Sequence, residues 1–208
     1  MEKNEYVYIV LIKALTGLGK FSRKLNPYEY THIAVCFEDT LEDFVTFSRK
    51  KHYSPFDAGF MHEKREHYAF GKNDRVKVKI FKLPVSKDKK IRIERYVQKI
   101  EKDQEYIFNL YSMLTMPVFH GIKIYKAHNC MSFVGKVIQL SHSVQMQKKY
   151  YQYDIKETDE LLNDFLWKEC YLQKNLEDHE YMGRIGVITN IYMFLKLNGK
   201  LIYRILLK

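Results

Sequence analysis

Cysteine, proline, glycine and tryptophan are all scarce in this chain, at 3, 4, 9 and 1 of 208 residues. The cysteines Cys36, Cys130 and Cys170 are odd in number and lack paired spacing, which argues against a disulfide framework and against a zinc cluster. Reduced thiols in a cytoplasm are expected, with neither metal nor cofactor. Because no stretch is rich in Gly, Ser or Pro, no linker separates two domains. A single domain over residues 1–208 is expected, with 186–208 as a C-terminal extension. Long hydrophobic runs are missing too. Tyr6 to Ile12 is too short to cross a bilayer and has no small-residue cleavage site, and Ile185 to Leu197 is interrupted by Thr189, Asn190 and Lys196. A soluble protein is expected.

What is present is an ordinary globular mixture, 46% hydrophobic and 29% charged, with a formal net charge of +10. Such a charge can mark a nucleic-acid or anionic-membrane partner. The lysines are dispersed, however, and the densest group, Lys87-Asp88-Lys89-Lys90, sits at the start of an expected helix, so a solvated face is the reading preferred.

Periodicity organises the chain. Tyr6 to Leu15 reads as a strand, followed by the turn Thr16-Gly17-Leu18-Gly19-Lys20 and a short helical or irregular piece to Pro27. That turn is not a phosphate-binding loop: Ala14 stands where the first glycine is needed and Phe21 where Ser or Thr is needed. From Tyr30 to Phe37 the residues alternate, with His32, Ala34 and Cys36 on one face and Ile33, Val35 and Phe37 on the other. The acidic turn Glu38 to Asp43 returns the chain into a third strand, Phe44 to Arg49. A loop with Pro55, Gly59 and Gly71 leads to a fourth, in which Val76, Val78 and Ile80 alternate with Lys77, Lys79 and Phe81, and which Pro84 closes. Ser86 is placed to cap a helix carrying Ile93, Tyr96, Val97 and Ile100. Asn129 is placed to cap another, on which Cys130, Val134, Val137 and Ser141 share a face. A further capped helix is expected from Lys156 to Leu162, with short extended pieces at Cys170 to Gln173 and Tyr181 to Ile185.

Cys130 is the residue with the clearest chemical promise. A thiol attacks as its thiolate, which the unpaired N–H groups and positive end of a helix N-terminus favour. It also needs a histidine to take the proton and return it to the leaving group. His32, held on a strand between buried neighbours, has a fixed direction and is the expected base. His128 is a weaker alternative two residues before Cys130, and its bland reading is a solvent-facing loop residue. Cys36 lies four residues from His32 on the same strand, roughly 13 Å away, and Cys170 has no helix N-terminus beside it. Both read as packing residues.

Tyr30-Thr31-His32-Ile33-Ala34-Val35, an acidic turn, a strand and, much later, Asn129-Cys130-Met131-Ser132-Phe133-Val134 together resemble the circularly permuted NlpC/P60 superfamily of papain-like proteins, its YiiX-like branch in particular. In that superfamily the histidine strand precedes the cysteine helix. Thr16 to Gly19, Thr46-Phe47-Ser48-Arg49, and Gly59-Phe60 with Glu63 in the following loop are similar to that branch as well, so the resemblance covers about residues 6 to 185. It implies an α+β, permuted papain-like fold, with an antiparallel sheet packed against the cysteine helix. It also implies a third polar residue that orients the histidine, usually from the next strand. There this chain offers Thr46 and Ser48, and Glu63 or Glu38 are carboxylate alternatives better able to stabilise an imidazolium. The oxyanion would be held by the Cys130 N–H and a donor from the Thr16 to Leu18 turn.

The expected function is a thiol-dependent hydrolase or acyltransferase, working on an amide, thioester or ester carbonyl through an acyl-enzyme on Cys130. Peptides, lipids or other acyl compounds are the expected substrates, with peripheral membrane contact left open by the basic surface and apolar tail, and with no specific nucleic-acid partner. The alternative from another class is a non-catalytic basic module on a papain-like scaffold that binds nucleic acid or an anionic surface.

Overall fold

The computed structural model describes residues 5–15, 28–174, 176 and 178–208. The expected Thr16-to-Lys20 turn, the piece leading to Pro27 and the second oxyanion donor all lie outside the described residues.

The fold is α+β. Among the described residues, eight strands run in chain order as β1 (Glu5–Ile12), β2 (His32–Cys36), β3 (Phe44–Arg49), β4 (Ala58–Glu63), β5 (Arg75–Val85), β6 (Ile107–Phe108), β7 (Ala127–His128) and β8 (Leu166–Gln173). Six of them form one antiparallel sheet in the order β4-β3-β2-β1-β5-β8, and β6 and β7 form a short parallel pair. The helices among the described residues are α1 (Arg65–Tyr68), α2 (Lys87–Lys102), α3 (Leu110–Phe119), α4 (Cys130–Ser141), α5 (Ile155–Leu161) and α6 (Val187–Leu207).

Strand β1 is central and covered on both faces, which is why its sequence is almost continuously apolar rather than alternating. Val7, Ile9 and Leu11 join Ile33, Val35, Phe81 and Leu83 in the larger core, which α2 and α4 complete with Ile93, Val97, Ile100, Phe133, Val134 and Val137. Tyr8, Val10 and Ile12 face the other way into a smaller core with Ala34, Cys36, Phe44, Tyr68, Val76, Val78 and Ile80. Lys79 on β5 pairs with Asp159 of α5 at 2.7 Å.

Several elements differ from the sequence expectation. The stretch expected as loop around Gly59 is strand β4, so Glu63 closes a strand. Pro84 does not end β5 but pairs with Tyr6 inside it, one residue before the strand's end, where a missing N–H costs little. Cys170 belongs to an eight-residue edge strand, whereas Tyr181 to Ile185 is a turn and irregular chain with no strand. The apolar tail is one 21-residue helix whose Leu197 and Leu201 enter the larger core. Single-sequence periodicity misses these pieces because their partners are far away in the chain.

Candidate active site

Cys130 occupies the first position of α4, as expected. The Asn129 side chain accepts from the Ser132 N–H at 2.8 Å while the Ser132 hydroxyl accepts from the Asn129 N–H at 3.0 Å, a capping box that fixes where the helix begins. The Asn129 amide also donates to the Ser112 hydroxyl at 3.3 Å, tying the cap to α3. Cys130 is therefore held by its backbone, and the residue is 8% exposed, in the same buried cluster as Phe133 and Val134.

His32 opens β2, where the ladder to Ile12 of β1 sets its position. Its Nε2 lies 2.8 Å from Glu63 Oε2, and that same oxygen accepts from the Tyr68 hydroxyl at 2.9 Å. Glu63 is 2% exposed, and a buried carboxylate keeps its charge only when ion-paired and hydrogen-bonded. Burial by itself would raise its pKa. The charge and hydrogen bond of His32, with hydrogen bonds from Ser48 and Tyr68, outweigh burial and hold the carboxyl below its ordinary range. The opposite balance applies to His32: burial would push the imidazole down, but the Glu63 charge, hydrogen bonding with Cys130 and the Glu63 hydrogen bond hold it above its ordinary value. Burial and the neighbouring Glu63 charge raise Tyr68, keeping its phenol a donor.

Nε2 of His32 faces Glu63, which leaves Nδ1 as the other ring nitrogen, and hydrogen bonding with Cys130 is among the influences that hold the imidazole pKa up. The His32 side chain is 13% exposed.

The remaining sequence candidates divide cleanly. Thr46 does not reach the imidazole: its buried hydroxyl donates to the Ile33 carbonyl at 2.9 Å, a bond within the sheet. Ser48 acts on Glu63 rather than on His32. Glu38 is exposed, and its carboxylate accepts a long bond from Thr40. His128 is not a solvent-facing loop residue. It is buried in β7, its Nδ1 is 3.2 Å from the Ser132 hydroxyl, its Nε2 is 3.3 Å from the Tyr96 hydroxyl, and it stacks on Tyr106. Burial, with the charges of Lys136 and Lys123, pushes its pKa down to about 4. Cys36 gives its thiol to the Glu38 carbonyl, and burial raises its pKa.

Tyr68 is the one site residue that sequence reasoning did not single out. Its helix is a single turn without a recognisable period, and only its position five residues after Glu63 hints at a link. Among the described residues, no group of three or more His, Cys, Asp or Glu side chains is arranged to hold a metal ion. No family model, curated protein or solved structure matches this chain.

Proposed function

We propose that the chain is a thiol-dependent hydrolase or acyltransferase of the permuted NlpC/P60, papain-like type, with Cys130 as nucleophile, His32 as base and Glu63 as the residue orienting the histidine. The observation that carries this reading is that His32 pairs at 2.8 Å with the buried Glu63 carboxylate, while hydrogen bonding with Cys130, at the start of α4, adds to what raises the imidazole pKa. Strand order adds support, since the histidine strand precedes the cysteine helix and the sheet is antiparallel beneath it.

In the reaction, His32 Nδ1 takes the Cys130 proton, and the sulfur attacks an acyl carbonyl to form a C–S bond. Glu63 stabilises the resulting imidazolium and keeps the ring from turning. The oxyanion forms beside the Cys130 N–H at the start of α4, where the helix end favours negative charge. Its collapse expels the amine, alcohol or thiol, which leaves with the proton from His32. Water or another acceptor then gives a proton to His32 and attacks the thioester, releasing the acyl group and restoring the thiol. Tyr68 and Ser48 are positioning residues that act through Glu63.

The test is iodoacetamide labelling of the intact chain across pH, read by mass spectrometry, for the parent, Cys130→Ala and His32→Ala. Fast labelling at neutral pH that vanishes in Cys130→Ala and slows in His32→Ala is expected. If the Cys130 thiol labels no faster than an ordinary cysteine and His32→Ala changes nothing, the hydrolase reading is lost. The same result with salt-sensitive binding to nucleic acid would favour the binding-module reading.

A further inference from the structure

Helix α6 is apolar on two sides, and the protein covers one of them. Leu197, Leu201 and Arg204 turn inward, with the Arg204 guanidinium donating to the carbonyls of Glu105, Tyr125 and Lys126. On the opposite side Ile188, Leu195, Ile202 and Leu206 recur at spacings of one and two turns, forming one outward stripe. Ile188, Leu195 and Leu206 are 84%, 62% and 72% exposed. Monomeric soluble chains rarely leave a continuous row of this kind to water. The patch continues onto α3: Tyr111 donates to Asn198 at 2.9 Å, and Leu114 and Val118, three and seven residues further along the same side of α3, are also exposed.

Charge decides what covers this row. From Met182 to Lys208 there is no Asp or Glu, while Lys196 flanks the stripe and Lys200, one turn on, lies between it and the buried side. Beside them a groove of about 980 Å³ between α6 and the end of α2 adds Lys99, Lys102 and Lys208. Its two acids, Asp103 and Glu105, are already taken by Lys126, at 2.7 and 2.6 Å. A second copy packed on this row would bring lysine against lysine with no acid on either helix to offset them. A surface of negative headgroups over an apolar layer complements both parts.

We propose that α6 docks the protein on an anionic lipid bilayer, lying in the headgroup plane with its outward row in the acyl boundary. At 1.5 Å per residue the helix is about 31 Å long, ample for interfacial contact. It lies on the bilayer rather than across it, because its inner side is fixed to the core and no helix among the described residues is long and apolar enough to cross a membrane. This inference stands on α6 and its neighbours and is independent of the chemistry at Cys130.

The experiment is flotation of the full chain with vesicles of phosphatidylglycerol and phosphatidylcholine, against vesicles of phosphatidylcholine alone, at low and high salt. The protein is expected to float with the anionic vesicles only, and salt weakens the binding. Lys196→Gln and Lys200→Gln each lower the partition ~5-fold. Leu195→Ser and Leu206→Ser lower it as well, while circular dichroism stays that of the parent because both side chains are exposed. Failure to float with anionic vesicles, equal binding to neutral ones, or variants that bind like the parent would overturn the proposal. So would a dimer in ultracentrifugation that Leu195→Ser dissolves without any vesicle binding, which assigns the face to a second copy.

Discussion

Replacing Glu63 by glutamine keeps the size of the side chain and an acceptor oxygen but removes the buried charge that His32 and Tyr68 share at 2.8 and 2.9 Å. A hydrogen bond to a charged group contributes about 1.5–3 kcal/mol, so Glu63→Gln is expected to lower stability by about 2 kcal/mol, roughly 30-fold in the unfolding constant. The loss depends on pH in a defined way. The folded His32 pKa is raised, so its contribution is complete below the ordinary imidazole value of 6.5 and fades as pH rises through the folded value. The folded Glu63 pKa is lowered, so its contribution is complete above the ordinary 4.5 and is lost as pH falls through the folded value. The margin of the parent over Glu63→Gln is therefore widest between these two ordinary values and narrows on either side. Urea unfolding followed by circular dichroism across pH measures the margin, and nitrogen-edited NMR of the ring follows His32 directly, whose titration must move down in the variant. Equal stability in the window, with His32 titrating where it does in the parent, would refute the pairing and remove Glu63 from the site.

Other expectations separate the site from its surroundings. His128→Phe keeps the stacking on Tyr106 and leaves Cys130 labelling within about twofold of the parent, whereas a loss on the scale of about 100-fold, typical of a removed base, would make His128 the base instead. Thr46→Val strands the buried Ile33 carbonyl and costs about 1–3 kcal/mol in urea unfolding with labelling unchanged, and slowed labelling at full stability would return Thr46 to the site. Gly135→Ala drives a methyl into the Tyr150 carbonyl, so overpacking lowers stability by about 1–3 kcal/mol, and an unchanged melting temperature would show that α4 is not pressed against that segment.

The sequence by itself determined the local pieces: the alternation that makes β2, the apolar run of β1, the spacing of Ile93, Val97 and Ile100 on α2, and the Asn129 cap that starts α4 at Cys130. These are readable because period and capping act within a few residues. It left the orienting residue open among Thr46, Ser48, Glu63 and Glu38, since all four lie near the histidine in sequence or on a plausible face. Only the tertiary structure brings Glu63 against His32, by forming β4 from a stretch with little strand signal and turning α1 so that Tyr68 meets the same carboxylate. It likewise decided that His128 is sealed in an aromatic box and that the tail is a helix with one bare apolar side. Those outcomes depend on strand order and helix packing between residues far apart in the chain, and a pattern read along one sequence carries no record of which distant surface will cover it.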